Sequence, residues 1–300
     1  MRGVLLIVLQ STVEAVAWEF TGDLREINGG VLWAIGWSMI FLAGLAYLPM
    51  RWIVAIGLVM VLSHNAFDTV TGNGVGDWRW LWAILHTGDK IDLGGAWSLR
   101  PYYPLIPWLG VMALGYGFGA VLQRFSAQRS SYLLGFGSVL IVLFLLLRGF
   151  NSYGDPKPWQ VLPNPVFTVL SFLNCHKYPP SLAYLLMTLG PALMLLGLFD
   201  RIKNKSLPFL PIFGRTALFY YLLHLYVIHG LAVVVAALTD GPVIPLLIGP
   251  WSKDMPEHYG YVLPVVYAIW LAVLTLLYPL CVWFDRFKRR HSHWAWLKFL

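Results

Sequence analysis

The fold is decided by apolar runs such as YLLGFGSVLIVLFLLL, which occupies residues 132–147 and carries no charged side chain. Across the 300 residues, 58% are hydrophobic and 12% are charged, whereas a soluble domain carries about a quarter charged residues. A helix needs roughly 20 mainly apolar residues to cross a bilayer. The sequence therefore predicts an all-α, polytopic membrane bundle of about eight transmembrane helices, over residues 3–20, 29–48, 52–67, 102–122, 132–148, 180–199, 209–236 and 261–284.

Charged side chains predict how these helices are oriented. When residue 1 is placed in the cytoplasm, more than half of the 21 Lys and Arg residues fall on the cytoplasmic side, and the others lie mostly in long loops. Of the 14 acidic residues, Asp200 and Asp285 alone fall on that side. We therefore expect a single transmembrane domain over residues 1–300, with both termini cytoplasmic. Any chemistry is expected to face outward, beneath long loops such as residues 69–101 that show neither helical nor strand periodicity.

The distribution of charged residues also predicts the binding partners of the protein. The net charge of +7 is distributed in short pieces between apolar runs rather than along one surface, so we expect a lipid bilayer and no nucleic acid as partner. The first run could pass for a signal peptide, but Trp18 and Glu19 continue it as an interfacial helix end would, and we expect it to be retained.

A polar stretch, SHNAFD over residues 63–68, ends the third apolar run. If the run stays helical, His64 and Asp68 lie one turn apart on the same face at the membrane boundary, where a carboxylate can orient an imidazole. This spacing predicts His64 as a general base oriented by Asp68, with Asn65 as a neighbouring substrate-binding residue. The alternative is a helix end whose polar side chains contact lipid headgroups and cap the backbone.

Two proline-containing motifs border the outer loops. In YYPLIPWLG, residues 102–110, the prolines predict irregular backbone that lines a cavity, which makes Tyr103 and Trp108 candidate substrate-binding residues. In KYPPS, residues 177–181, the prolines hold Lys177 and Tyr178 rigid, and both are candidates for binding an anionic or sugar group. The alternatives are a kinked interfacial anchor and a helix start with a snorkelling lysine.

The seventh apolar run contains His224 and His229. Five residues place these side chains about 140° apart around a helix, so they cannot form the same-face metal pair of an i, i+4 spacing. Tyr220, one turn before His224, is a candidate hydrogen-bond partner. We predict a substrate-binding role for these histidines and expect no metal.

Four motifs carry a family resemblance: SHNAFD at 63–68, YPLIPWLG at 103–110, KYPPS at 177–181 and YLLH at 221–224. Together they resemble the bacterial membrane family related to the catalytic domain of heparan-alpha-glucosaminide N-acetyltransferase. The resemblance extends over nearly the whole chain. It implies an acyltransferase of the cytoplasmic (inner) membrane that takes an acetyl group from cytoplasmic acetyl-CoA, its donor substrate. The acetyl group is delivered across the membrane to a sugar amine or hydroxyl of a glycan or other small-molecule acceptor.

Two further expectations depend on this resemblance. Arg124, Arg129 and Arg215, at the cytoplasmic mouth, are expected to contact the phosphates of coenzyme A. Family members usually begin with two further helices, so the chain is expected to lack the first two transmembrane helices of the family. Two alternatives stay open: an inactive fragment, and a transporter or flippase of a polar glycan or lipid-linked intermediate that uses Glu14, His224 and His229 as intramembrane relays.

Overall fold

The computed structural model describes residues 1–202, 209–249, 251–294 and 297. The described chain is mainly helical, with three short strands: β1 (Glu26–Asn28), β2 (Ile91–Gly94) and β3 (Trp97–Arg100). The α-helices are α1 (Arg2–Leu9), α2 (Ala15–Trp18), α3 (Val31–Leu45), α4 (Met50–Ser63), α5 (Arg79–Trp82), α6 (Leu105–Arg124), α7 (Arg129–Phe150), α8 (Pro165–Leu173), α9 (Leu182–Ile202), α10 (Leu210–Arg215), α11 (Ala217–Leu238), α12 (Val243–Ile248) and α13 (Leu263–Arg290).

In the described part of the chain, six helices are long and apolar enough to cross a membrane. They correspond to the third to eighth predicted runs and comprise α4 with the turn that follows it, α6, α7 with the turn that precedes it, α9, α11 and α13. The second run forms the shorter apolar helix α3, and the first forms α1, a π turn (Gln10–Glu14) and α2 in succession. The prediction of a helical membrane bundle is confirmed, while the count of eight stays a prediction.

The chain divides into two compact units. The first contains Met1–Val8 and residues 26–202, and in it α7 packs along α9 while α6 packs against α3 and α4. The second contains Leu9–Arg25 and the described residues from Phe209 onward, and in it α11 packs against α2, α12 and α13. The single functional domain stays a prediction.

Glycines set the closest helix contacts of the first unit. A Cβ atom on Gly110 of α6 would lie 2.8 Å from Val61 Cγ2 of α4, and one on Gly137 of α7 would lie 2.9 Å from the carbonyl oxygen of Gly190 of α9. Small residues at these points let the helix backbones approach closely. They fix α4 and α9, whose ends carry the candidate site.

The first long loop, residues 69–101, contains short regular elements that its sequence does not predict. It forms a 3-10 turn (Gly72–Trp78), α5, a π turn (Ala83–Thr87) and the hairpin of β2 and β3. Strand β3 pairs antiparallel with β2 and parallel with β1, in the order β1-β3-β2. Because β2 is exposed along most of its length, it shows no alternation of apolar and polar residues. The strands are therefore not visible in the periodicity of this loop.

Candidate active site

The helix that leads to His64 ends earlier than predicted. α4 ends at Ser63, and His64–Phe67 form a 3-10 turn. A 3-10 turn has three residues per turn rather than 3.6, so residues at i and i+4 no longer share a face. His64 is buried, with 1% of its surface exposed, and Asp68 contacts a different part of the chain.

Both ring nitrogens of His64 face backbone carbonyl oxygens. Nδ1 lies 2.9 Å from the oxygen of Val61, and Nε2 lies 2.9 Å from the oxygen of Pro180. Carbonyl oxygens only accept hydrogen bonds, so neither nitrogen is free to take a proton from a substrate while both contacts are made. His64 joins the end of α4 to the segment before α9, and its role as a general base stays a prediction.

The carboxylate of Asp68 contacts His86 rather than His64. Its Oδ1 lies 3.3 Å from His86 Nε2, and its Oδ2 accepts a hydrogen bond from Asn65 Nδ2 at 2.8 Å. Burial alone would raise the pKa of Asp68, but the interactions with His86 and Asn65 outweigh burial and hold that pKa below its ordinary value. A histidine–aspartate pair therefore exists at this position, but the prediction that Asp68 orients His64 is wrong.

His86 lies in the π turn Ala83–Thr87, where its ring packs against Trp82 with centroids 4.9 Å apart. Only 2% of its surface is exposed. Its Nδ1 atom is buried and has no hydrogen-bond partner among the described residues. A buried polar atom left unpaired costs about 1–3 kcal/mol, so this nitrogen does not serve stability. An imidazole with one nitrogen facing a carboxylate and the other unpaired has the arrangement of an oriented general base.

Asn65 connects this pair to α9. Its amide nitrogen donates to Asp68, and its Oδ1 accepts a hydrogen bond from the backbone nitrogen of Leu182 at 2.8 Å. The first backbone N–H groups of a helix have no partner within the helix, and Asn65 supplies one. Both ends of the Asn65 amide thus contact protein atoms, and its role in substrate binding stays a prediction.

The two proline-containing motifs meet through their tyrosines. The hydroxyl oxygens of Tyr103 and Tyr178 lie 3.3 Å apart, and the two rings make an edge contact with centroids 5.3 Å apart. Tyr103 also packs against Trp108 at 5.5 Å, and Lys177 Nζ lies 5.0 Å from the centroid of the Tyr178 ring. The structure thus brings these four predicted binding residues into one series of contacts. A common cavity between them stays a prediction.

Pro180 and Trp108 link these motifs to the histidine region. Pro180, whose carbonyl oxygen faces His64, forms an isolated β-bridge with Lys177. Trp108 packs against the apolar cluster that contains Val61, the residue whose carbonyl faces the other His64 nitrogen. The Trp108 indole nitrogen is buried and, within the described chain, has no hydrogen-bond partner.

A buried ion pair holds the loop between α7 and α9. Asp155 lies 3.6 Å from the guanidinium of Arg148, and it accepts hydrogen bonds from the backbone nitrogen of His176 and from Ser181 Oγ. A buried charge costs several kcal/mol unless it is paired and hydrogen-bonded. Arg148, 3% exposed, is also satisfied by the carbonyl oxygens of Lys157, Ser171, Phe172 and Asn174.

Residues 1–152 match the family model described as heparan-alpha-glucosaminide N-acetyltransferase, catalytic. The chain belongs to this family. The match includes His64, Asp68 and His86 and the first proline-containing motif, whereas Lys177 and Tyr178 lie beyond it. No curated protein and no solved structure matches the chain.

Membership of the heparan-alpha-glucosaminide N-acetyltransferase family supports a membrane acetyltransferase-like function in general terms. The six apolar helices agree with an integral membrane protein. Acyl transfer to an amine or hydroxyl requires a group that accepts a proton, which is the chemistry of an oriented histidine. Within the described residues, no group of three or more His, Cys, Asp and Glu side chains could hold a metal ion.

Sequence reasoning missed His86, Arg148 and Asp155. His86 lies in a loop without periodicity, and no local signal shows which histidine faces Asp68. Arg148 is the last residue of the predicted helix 132–148, and no partner for it is predicted from the sequence. It directly follows the apolar run 132–147, and a charge at the end of such a run requires interior partners. That signal was available and points to a long-range acid, although not to Asp155 in particular.

In the second unit, a polar network surrounds Glu14. This buried residue lies in the π turn Gln10–Glu14. Its carboxylate accepts hydrogen bonds from Trp18 Nε1 at 2.7 Å, from Tyr221 Oη at 3.4 Å and from Gln10 Nε2. Glu14 therefore faces hydrogen-bond donors of its own unit, as expected for a carboxylate inside a bilayer.

His224 and His229 have separate partners in the same unit. His224 stacks on Tyr220 with centroids 5.3 Å apart, and its Nδ1 lies 3.2 Å from the Tyr220 carbonyl oxygen. The predicted Tyr220 partner is confirmed. The two nitrogens of His229 each lie 2.7 Å from a carbonyl oxygen, those of Ala17 and Leu246. A substrate-binding role for either histidine stays a prediction.

The three arginines predicted to bind coenzyme A differ in their partners. Arg129 forms an ion pair with Asp200. Arg215 binds Asp285 through Nε at 2.8 Å and Nη2 at 3.1 Å. The guanidinium of Arg124 lies 5.6 Å from the ring centroid of Phe125. Arg124 and Arg129 belong to the first unit and Arg215 to the second, and their shared role stays a prediction.

Proposed function

We propose that the protein transfers an acetyl group from cytoplasmic acetyl-CoA to the amine or hydroxyl of a sugar on the extracytoplasmic side of a bacterial inner membrane. Family membership supports acetyl transfer in general. The observation that carries the proposal for this chain is the buried His86, with Nε2 facing Asp68 and Nδ1 unpaired among the described residues.

In this mechanism Asp68 holds the His86 proton on Nε2, which leaves the lone pair on Nδ1 for the acceptor. The acceptor nitrogen or oxygen attacks the thioester carbonyl, the new bond to the acetyl carbon forms, and the carbon–sulfur bond breaks. The acceptor proton passes to His86 Nδ1 and then to the departing thiolate. Because His86 is 2% exposed, the proposal requires a rearrangement that exposes Nδ1 to the acceptor.

In this proposal, the sugar acceptor binds near the contact between Tyr103 and Tyr178. Tyr178 and Lys177 are exposed, Tyr178 contacts Tyr103, and Lys177 lies over the Tyr178 ring, so they offer hydroxyl and ammonium groups to a sugar. Trp108 offers a buried indole N–H that lacks a partner in the described chain. On the donor side, Arg124, Arg129 and Arg215 are proposed to contact the coenzyme A phosphates. The positive-inside rule supports the proposal that both termini and these arginines face the cytoplasm.

A sided transfer assay tests this function. The full chain is reconstituted in vesicles that contain an amino sugar, and acetyl-labelled coenzyme A is supplied outside. The proposal predicts labelled sugar inside the vesicles that contain protein and none in protein-free vesicles. Acetylated sugar formed only outside would contradict transfer across the membrane. The absence of acetylated sugar on either side, from correctly folded protein, would contradict the proposed reaction.

The Glu14 network favours a second candidate, a transporter or flippase of a polar glycan or lipid-linked intermediate. A buried carboxylate in a π turn is an arrangement seen often at functional sites. The same vesicles distinguish the two functions, because a transporter moves unmodified sugar without coenzyme A. Replacement of Glu14 by Gln should abolish that flux if the second candidate is correct.

A further inference from the structure

The last helix, α13, carries two arginines on one face near its end. Arg286 and Arg290 are separated by four residues and are exposed. Both line a cavity of about 440 Å³ that Arg215 and Arg289 also border. Like charges at i and i+4 of a helix repel each other, so a helix face of this kind gains stability when an anion lies between them.

Acidic side chains do not neutralise this cavity. Its single carboxylate, Asp285, is already shared by Arg215 and Arg289. Arg286 and Arg290 form no hydrogen bond or ion pair with any residue that the structure describes, and all 14 acidic residues of the chain lie in the described ranges. Four guanidinium groups and one carboxylate leave a strong positive charge at the cavity.

A second cavity adjoins the first and gives it an aromatic side. It measures about 460 Å³, shares Arg286 and Arg290 with the first, and is bordered by Trp283, Phe287 and His291. The rings of Trp283 and Phe287 are stacked with centroids 5.7 Å apart. Trp283 is exposed and Phe287 is half-buried. Guanidinium groups between a charged cavity and these rings suit a ligand that carries phosphate beside a planar or apolar group.

We propose that Arg286 and Arg290 form a phosphate-binding site that takes the phosphates of coenzyme A or the phosphate of an anionic lipid headgroup. The coenzyme A source rests on the proposed function, because only an acetyltransferase requires that donor here. The lipid source does not, since basic residues at the end of a membrane helix attract anionic headgroups in any membrane protein.

Binding to the full chain in nanodiscs tests the site in two arms. The first arm measures coenzyme A binding by calorimetry in zwitterionic lipid, and the second measures the thermal shift when phosphatidylglycerol is added. The variants are R286Q and R290Q. R51Q is the matched control, because Arg51 is an exposed arginine at the start of α4. Each site variant should weaken binding roughly tenfold in at least one arm, through loss of charge-assisted hydrogen bonds, while R51Q leaves it unchanged.

The two arms separate failure of the site from failure of the donor hypothesis. Weaker coenzyme A binding in both variants supports the site with the donor as its ligand. If wild type does not bind coenzyme A but both variants lose the lipid-dependent shift, the site is supported and the proposed donor is contradicted. If neither arm responds to R286Q and R290Q, or if R51Q has the same effect, the phosphate site is overturned. R286K, which keeps the charge, distinguishes lost binding from lost folding.

Discussion

Arg148 and His86 are both buried polar groups of the first unit, but among the described residues Arg148 has several hydrogen-bond partners, while one nitrogen of His86 has none. Arg148 donates to four backbone carbonyl oxygens and faces Asp155. His86 faces Asp68 through one nitrogen, while its other nitrogen is buried without a partner in the described residues. The first arrangement stabilises the loop before α9. The second keeps an atom unpaired at a cost in stability, and such an atom is available for chemistry.

The largest loss of stability is expected for Arg148→Met, which tests whether the buried Arg148 contacts stabilise the protein. Removing one partner of a buried, hydrogen-bonded charge pair costs about 3–5 kcal/mol, because Asp155 and four carbonyl oxygens lose their partner. We expect a large fall in the thermal unfolding midpoint of the protein in detergent.

Arg129→Met on the same helix is the matched control. The side chain of Arg129 is 52% exposed, and an exposed ion pair contributes about 0–1 kcal/mol. Equal losses of stability from the two substitutions would contradict a stabilising role of the buried Arg148 contacts.

His64→Leu has a smaller expected effect on stability. The substitution leaves the carbonyl oxygens of Val61 and Pro180 without the imidazole, and an unsatisfied buried acceptor costs about 1–3 kcal/mol. Unfolding in denaturant measures the change, with Trp52→Leu on the exposed side of the same helix as reference. A His64→Leu protein as stable as wild type would contradict the bridging role of His64.

The pH dependence of stability tests the Asp68 contacts. The pKa of Asp68 is lower in the folded protein than in the unfolded chain, so the stability it contributes is present above the unfolded value of about 4 and is lost as pH falls through the folded value. Between pH 5 and pH 3, we expect wild type to lose more stability than Asp68→Asn. Parallel losses in the two proteins would mean that the folded pKa of Asp68 is not lowered.

The smallest effect is expected for Tyr103→Phe. The hydroxyl contact with Tyr178 is 3.3 Å long and exposed, so its loss should cost less than about 1 kcal/mol. If Tyr103 binds the acceptor, the substitution raises the KM for the sugar and leaves kcat unchanged. A fall in kcat with constant KM would place Tyr103 in the chemical step instead.

The helices could be predicted from sequence because each depends on its own composition. Long apolar runs such as 132–147 form spanning helices whatever their neighbours are, and α7 extends only a few residues beyond the predicted run. The sheet of β1, β2 and β3 could not be predicted, because the mostly exposed β2 carries no alternating pattern and β1 is far from β3 along the chain.

The contacts of the predicted site residues could not be read from the sequence. Within the motif at 63–68, His64 is buried while Ala66 and Phe67 are exposed, and the change from α4 to a 3-10 turn at His64 alters which side chains meet. The partner of Asp68 comes from the following loop, and the partner of Arg148 comes from the loop beyond α7. Contacts between separate segments depend on tertiary packing, which local periodicity does not contain.

The most direct test of the account is the rate of acetyl transfer by His86→Gln at equal amounts of folded protein. A general base contributes about 10²- to 10⁴-fold to a rate, so the substitution should reduce kcat at least about 100-fold. Because Nδ1 has no partner within the described residues and the Gln amide can still donate a hydrogen bond to Asp68, thermal stability should change less than kcat. A His86→Gln protein that keeps activity within a few-fold of wild type would contradict the assignment of His86 as the base.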